Sequence, residues 1–187
     1  MKLFALFTAL FVLSSPAFAA DVPKWAVDPA QSEISFSGTH AEKEFTGKFA
    51  TWTADIAFDA ARLEQSKVLV TIETGSAATG DKTYDGSLPS PEWLDPKAFP
   101  TATFESKTFR QTGDSTYEVD GTLTIKGITQ DITLPFSLTT EGDKTVMEAT
   151  TSLDRLLFNV GVASDPKAEW VSKDITVAIK VSATKTP

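Results

Sequence analysis

Apolar and polar residues alternate along most of this chain, which is the pattern of β-strands and not of helices. It is clearest at positions 121–125 (GTLTI), where apolar residues fall on odd numbers, and at 132–138 (ITLPFSL), where they fall on even numbers. Antiparallel pairing that joins both sets on one face requires an even number of turn residues. Glycine allows a positive φ, so Gly127-Ile128 is predicted as a two-residue turn. The two stretches therefore predict a β-hairpin with one continuous apolar face.

The same alternation recurs elsewhere and predicts about eight strands in all. Outside the hairpin, strand-like stretches begin near residues 32, 52, 68, 102, 147 and 175; the pattern that begins at 32 resumes at 45, and the stretch near 117 leads into the hairpin. Apolar parity changes from odd at Phe49 to even at Trp52, which predicts a β-bulge near Ala50-Thr51. Bulges bend strands, and bent strands help a sheet to close. We therefore predict an all-β fold in which one antiparallel sheet closes into a barrel.

Residues 75–100 interrupt this pattern, because they are rich in Gly, Ser, Asp and Pro and show no alternation. Ser90 followed by Pro91 is a helix-start signal, with serine as N-cap and proline in the first turn, and it predicts a short helix that holds Trp93. A long connection in a compact domain is usually functional or a cover. We predict that this segment, called the lid, closes one end of the barrel with Trp93 and Phe99 turned inward.

The N-terminus has the organisation of a secretory signal peptide. Lys2 precedes a mostly apolar stretch at residues 3–13, and the small residues around Ala19 form a cleavage site. We predict a signal peptide over residues 1–19 and a single domain over residues 20–187. The apolar stretch is shorter than the ~20 residues that span a bilayer, so no stable membrane anchor is expected.

Composition excludes several kinds of site and partner. The 187 residues contain no Cys and one His, which excludes thiolate metal sites, cysteine nucleophiles and sites built on several imidazoles. The formal net charge is −8, and loss of Lys2 with the signal peptide would make it more negative. Because an acidic surface repels a phosphate backbone, we expect no nucleic acid partner.

One acidic segment partly matches an EF-hand calcium loop. In residues 81–92 (DKTYDGSLPSPE), the carboxylates of Asp81, Asp85 and Glu92 fall at the expected spacing. Thr83 stands where Asp or Asn is required, and the preceding sequence is strand-like rather than helical. We therefore predict no metal site, and no residue pattern indicates a cofactor.

Two polar residues share the parity of the apolar faces. His40 shares it with Ile34 and is either a hydrogen-bonded residue at the barrel rim or a group that fixes the head of a ligand. Arg155 shares it with Leu153, and an unpaired buried guanidinium is very costly. Arg155 is therefore predicted either to pair with a carboxylate, such as Asp154 or a lid residue, or to contact a polar ligand group.

Two alternatives for the interior of the barrel remain at this point. Eight strands enclose a space that is either filled by side chains or large enough for one small ligand. Gly38, Gly47 and Gly121 lie on inward parity and favour free volume, but a glycine in a strand also marks a bend.

Five stretches together resemble the YceI-like family of exported lipid-binding proteins, over essentially the whole chain after the signal peptide. They are residues 25–40 (WAVDPAQSEISFSGTH), 45–49 (FTGKF), 93–106 (WLDPKAFPTATFES), 121–138 (GTLTIKGITQDITLPFSL) and 153–161 (LDRLLFNVG). The resemblance implies an extended, lipocalin-like, eight-stranded antiparallel barrel whose elongated apolar cavity binds isoprenoid chains or other long-chain amphiphilic lipids without catalysis. The residues it places at the cavity or its mouth are Phe36, His40, Phe49, Trp93, Phe99, Phe104, Leu123, Leu134, Phe136, Arg155 and Phe158.

Three functional hypotheses follow. The first is a periplasmic binding or carrier protein for an isoprenoid or similar lipid. The second is a packed barrel that acts through protein contacts, as a stress-related accessory or as a partner of a membrane redox protein. The third is a hydrolase or isomerase acting on a captured amphiphile, for which His40 is the only distinctive candidate. Under each of these hypotheses a homodimer stays open.

Overall fold

The computed structural model describes residues 21–187. The predicted signal peptide, residues 1–19, lies outside the described residues. The strands are β1 Lys24–Val27, β2 Glu33–His40, β3 Lys43–Phe49, β4 Trp52–Ala57, β5 Lys67–Glu73, β6 Ala77–Ala78, β7 Thr101–Gln111, β8 Thr116–Ile125, β9 Ile128–Glu141, β10 Lys144–Asp154 and β11 Asp174–Lys185. The helix α1 spans Lys82–Ser87, and short 3-10 helices span Pro29–Gln31, Leu63–Gln65, Thr74–Ser76 and Arg155–Phe158. Within residues 21–187 no helix is long and apolar enough to cross a membrane.

The strands close into an eight-stranded antiparallel barrel, as predicted. Hydrogen bonding runs in the order β1-β4-β5-β7-β8-β9-β10-β11 and returns from β11 to β1. The other three strands extend this ring at the lid end: β11 pairs with β2, β2 with β3, and β3 with β6. Three of the eight barrel strands are therefore interrupted, since β2 continues β1, β4 continues β3, and β6 continues β5.

The predicted change of parity occurs at the break between β3 and β4. Phe49 pairs with Ile34 and Trp52 pairs with Ile72, and both Phe49 and Trp52 face the interior although they differ in parity. At the break, the N–H of Ala50 donates to the carbonyl of Ser76 at 3.1 Å. The extra residues bend the strand and let both of its parts keep their apolar side chains inside.

The hairpin of β8 and β9 has the predicted face, but its turn lies one residue earlier than predicted. Ile125 pairs with Ile128, so the two turn residues are Lys126 and Gly127, not Gly127-Ile128. Their φ angles are +49° and +73°. Positive φ at both central positions is typical of a type I′ turn, whose twist matches that of the flanking strands.

The lid contains a short helix, but not where the sequence indicated it. The helix is α1, and the Asp81 carboxylate caps it by accepting from the N–H groups of Thr83 and Tyr84. The predicted helix start at Ser90 is wrong, because that part of the lid forms successive turns. Prolines at positions 89, 91 and 96 remove the N–H donors that a continuing helix would need.

Candidate functional site

An apolar cavity of about 300 Å³ occupies the barrel interior. Every strand except β6 contributes side chains to its wall, and the lid contributes Leu88, Trp93 and Leu94. Among the described residues that line it, the polar ones other than tryptophan are Thr74, Thr145, Thr151 and Arg155. The barrel therefore holds free apolar volume rather than a completely packed core.

Most of the residues proposed from the sequence meet at this cavity. Those that line it are Phe36, Phe49, Trp93, Phe104, Leu123, Leu134, Phe136 and Arg155. Three others lie outside its wall. Phe158 is 3% exposed within the core cluster, Phe99 packs against the turn at Gly127, and His40 lies at the end of β2.

Several other wall residues were not predicted from the sequence. Trp52 and Phe58 share the parity of Ile56, so strand periodicity alone would have found them. Val160 and Val171 come from the irregular connection between β10 and β11, where no periodic pattern marks a residue as inward-facing.

Arg155 lies between the cavity and this connection, and its guanidinium is bonded on several sides. The side chain is 3% exposed and pairs with Asp165, with Nη2 at 2.8 Å from Oδ2. Nε and both terminal nitrogens also donate to the carbonyls of Ser172, Val160 and Val171 at 2.8–3.1 Å. The predicted carboxylate partner therefore exists, but it is neither Asp154 nor a lid residue.

The same guanidinium lies over the ring of Trp93, at 5.6 Å from the ring centroid. A Cβ at Gly161 would approach both groups to within 2.8–2.9 Å, so only glycine fits where the chain passes them. Gly161 also has a φ of +69°, which glycine adopts without strain. This cation–π contact ties the lid to the connection between β10 and β11.

Asp165 remains ionised in this buried position. Burial acts to raise its pKa, but the backbone N–H groups of Val171, Glu169 and Trp170, together with Arg155, hold the pKa below its usual range. The N–H···O distances from these three backbone groups are 2.7–3.2 Å. Arg155 and Asp165 thus form a hydrogen-bonded buried ion pair at the lid end.

Lys126 joins the hairpin turn to the lid. Its side chain is largely buried, and Nζ donates to the carbonyls of Pro91, Glu92 and Asn159 at 2.9–3.2 Å. An ammonium has three donors, and each has a carbonyl here. We call Arg155, Asp165, Lys126 and their bonded partners the lid network.

Glu92 adds a second link from the lid to the connection between β10 and β11. Its carboxylate accepts from the backbone N–H and the hydroxyl of Ser164 at 2.9 and 3.0 Å. The backbone N–H of Ser164 is the largest cause of a pKa of Glu92 below its usual range. The main-chain carbonyl of Glu92 accepts from the N–H of Gly161. The second half of the lid is therefore fixed at several points.

Helix α1, in the first half of the lid, has fewer links to the barrel. The hydroxyl of Tyr84 lies 3.1 Å from Nδ1 of His40, and its ring contacts the rings of His40 and Phe45. Gly80 and Gly86, near the two ends of the helix, have open space around them. His40 thus has the position of a half-buried, hydrogen-bonded residue at the rim.

At the opposite end of the barrel, aromatic rings replace the polar groups. The ring of Phe58 meets those of Phe109, Tyr117 and Phe136 with centroid separations of 5.4–6.2 Å and steep interplanar angles. Edge-to-face packing of this kind is favourable for aromatic pairs. We call these four residues the floor cluster.

The acidic segment of the lid does not assemble a cation site. Among residues 21–187, no group of three or more His, Asp or Glu side chains is arranged to hold a metal ion. Asp81 caps α1, Asp85 accepts from Thr79 and Gly80, and Glu92 accepts from Ser164. Each carboxylate has a structural partner in the fold.

Comparison with known proteins places this barrel among a group of bacterial relatives. The family model of the YceI-like domain matches residues 25–183. A UPF0312 protein of Pseudomonas syringae pv. tomato is 33% identical over 141 residues, which cover 74% of this chain and 71% of that protein. A UPF0312 protein of Vibrio vulnificus is 32% identical over 130 residues, covering 68% and 69% of the two chains.

Solved structures share the fold. Burkholderia cenocepacia BcnA superposes with a TM-score of 0.81 at 30% identity, over 85% of this chain and all of that chain. A polyisoprenoid binding domain from Saccharophagus degradans superposes with a TM-score of 0.70 over 89% of this chain and all of that chain. Its identity is 12%, so that comparison concerns the fold alone.

Proposed function

Because this chain belongs to the YceI-like domain family, we propose that it is a periplasmic carrier that binds the apolar chain of an isoprenoid or similar amphiphilic lipid inside its barrel. The observation that carries the proposal is the apolar cavity. Removing apolar surface from water contributes about 25 cal/mol per Å², so such a space binds a hydrocarbon chain by burial alone. The predicted signal peptide supports export.

The polar groups around the cavity fit binding better than turnover. The Arg155 guanidinium is bonded to Asp165 and to backbone carbonyls, and His40 is hydrogen-bonded to Tyr84 outside the cavity wall. Neither arrangement supports the hypothesis of a hydrolase or isomerase. A related fold in Saccharophagus degradans is described as a polyisoprenoid binding domain, which agrees with a lipid as the ligand.

The test combines extraction with a matched pair of variants. The purified protein is extracted with organic solvent, the extract is analysed by mass spectrometry, and the stripped protein is titrated with prenyl alcohols. Val177 lines the cavity and its neighbour Thr176 faces solvent, so Val177→Glu should abolish binding while Thr176→Glu should retain it. Circular dichroism checks that both variants fold. Absence of both co-purifying lipid and added-lipid binding would contradict the proposal.

A second candidate, contact with another protein, rests on the surface of the lid end. Leu157 and Trp170 are large apolar side chains that are 55% and 63% exposed. Self-association through them would appear in sedimentation velocity as a dimer that Trp170→Ser dissociates. A monomer at all concentrations would exclude the homodimer.

A further inference from the structure

One aromatic side chain crosses the barrel interior near the end opposite the lid. Phe58 directly follows β4 and has the inward parity of Ile56. Its backbone is fixed on both sides, because its N–H donates to the carbonyl of Pro23 at 3.1 Å and its carbonyl accepts from Nε1 of Trp25 at 2.9 Å. The ring is therefore held at a defined level of the barrel.

Together with the ring of Phe136, this ring bridges the interior between two opposite walls. In the closed ring of eight strands, β4 and β9 are four strands apart and so lie opposite each other. Even so, the rings of Phe58 and Phe136, which belong to these two walls, have centroids only 6.2 Å apart. Phe109 on β7 and Tyr117 on β8 close the space between them at 5.4 and 5.8 Å from Phe58.

The remaining strands of the ring include β10, β11 and β1, which contribute Thr145, Ala183 and Trp25 to the cavity wall. A straight hydrocarbon chain that enters from the lid end meets the Phe58 ring before it reaches the far end. To go further it must bend toward this side or displace the ring, which costs packing contacts.

We propose that Phe58 is the specificity-determining residue that sets how long an apolar chain the cavity accepts. The inference rests on the proposed function, since it concerns the same cavity. A volume of about 300 Å³ is at the lower end of the roughly 300–1,000 Å³ common for ligand pockets, as expected if the space ends at a stop. The ligand class it selects is a prenyl chain of limited length whose polar head stays toward the lid end.

The experiment measures how binding depends on chain length. Stripped protein is titrated with a series of all-trans prenyl alcohols from farnesol to solanesol, and affinity is read by competition with a fluorescent fatty acid. Affinity of the unaltered protein should rise with each isoprene unit and then level off. In Phe58→Ala the plateau should move to longer chains, with a gain of about tenfold for the first unit beyond it, the effect of burying five more carbons.

Matched variants separate a length stop from a general change of volume. Phe36→Ala removes the same ring from the cavity wall on β2, outside the floor cluster, and should change all affinities without moving the plateau. Phe58→Leu keeps an apolar side chain at the stop, so it should fold even if Phe58→Ala does not, and should shift the plateau less. Binding with an unchanged plateau in the Phe58 variants overturns this inference alone. No binding of any chain by the unaltered protein overturns the proposed function as well.

Discussion

The two ends of the barrel are closed by different chemistry. At the lid end, the lid network joins the lid to the turn of β8 and β9 and to the connection between β10 and β11. At the other end, the floor cluster packs the ring of Phe58 edge to face against three other rings, two of which, Tyr117 and Phe136, stack on each other. The first closure is polar and directional, and the second is apolar and depends on shape.

This difference determines how each end responds to change. A buried ion pair with a missing partner leaves an uncompensated charge, so it fails as a unit. A cluster of rings loses contacts gradually, and a smaller apolar side chain refills part of the space. The lid end should therefore be intolerant of single substitutions, and the floor should be adjustable.

The largest expected effect comes from removing the guanidinium at the lid end. Arg155→Met keeps much of the side-chain volume but leaves the Asp165 carboxylate buried without its cation, which should cost about 3–5 kcal/mol of unfolding free energy. Urea unfolding followed by circular dichroism measures this loss. Arg110→Met is the control, because Arg110 pairs with Glu118 and Asp120 on the exposed outer face and should change stability by less than about 1 kcal/mol. Equal losses in the two variants would contradict the comparison.

Acid should reproduce part of that effect without a mutation. The pKa of Asp165 is lower in the folded protein than in the unfolded chain, so its contribution is complete above the unfolded pKa and is lost as the pH falls below about 4. The loss should be smaller than in Arg155→Met, because a protonated carboxyl still accepts hydrogen bonds. Hydrogen exchange should show the backbone N–H of Val171 losing protection before that of Val119. Simultaneous loss of hydrogen-exchange protection at Val171 and Val119 would contradict this prediction.

Removal of the Lys126 ammonium should have the next effect. Lys126→Met keeps the apolar stem but leaves three carbonyls without their donor, at a cost of about 2–3 kcal/mol. The N–H of Gly161, which bonds to Glu92, should exchange faster. Lys97→Met, an exposed lysine of the same lid, serves as the matched control. Unchanged exchange at Gly161 would show that Lys126 does not hold the lid.

The smallest effect is expected in the floor cluster. Phe109→Leu keeps an apolar side chain and loses only the ring contacts with Phe58 and Phe136, so it should cost about 1 kcal/mol. Thermal unfolding of Phe109→Leu and Lys126→Met measures the two losses of stability, and the loss in Phe109→Leu should be the smaller. A loss as large as that of Arg155→Met would show that the floor is no more tolerant than the lid.

The sequence predicts the apolar side of this comparison better than the polar side. Strand periodicity is local, so it places Phe36, Leu134 and Phe136 on the inner wall correctly and gives eight barrel strands. The partner of Arg155 is missed because Asp165 lies in an irregular connection, where nothing local marks its position. Asp154, the nearer candidate, instead accepts from the N–H of Leu156.

The misplaced helix and turn have a similar cause. Ser90-Pro91 satisfies the local rule for a helix start, but the bonds that decide the backbone come from Lys126 and Gly161, which are distant in sequence. Likewise, glycine is allowed at either central position of a two-residue turn, so Gly127 alone does not decide whether its turn partner is Lys126 or Ile128. The observed register depends on the pairing of Ile125 with Ile128.

The turn residue Lys126 also has a consequence for folding kinetics. A type I′ turn favours asparagine or glycine at its first central position, and a lysine at a φ of +49° forms it less readily. The β8–β9 hairpin pairs residues that are close in sequence, whereas the Lys126 bonds to Pro91 and Asn159 join parts of the chain that are more than 30 residues apart. Local and global requirements conflict at this one position, so we expect an Asn-Gly turn here to speed formation of the β8–β9 hairpin while removing the Lys126 bonds that hold the completed barrel to its lid.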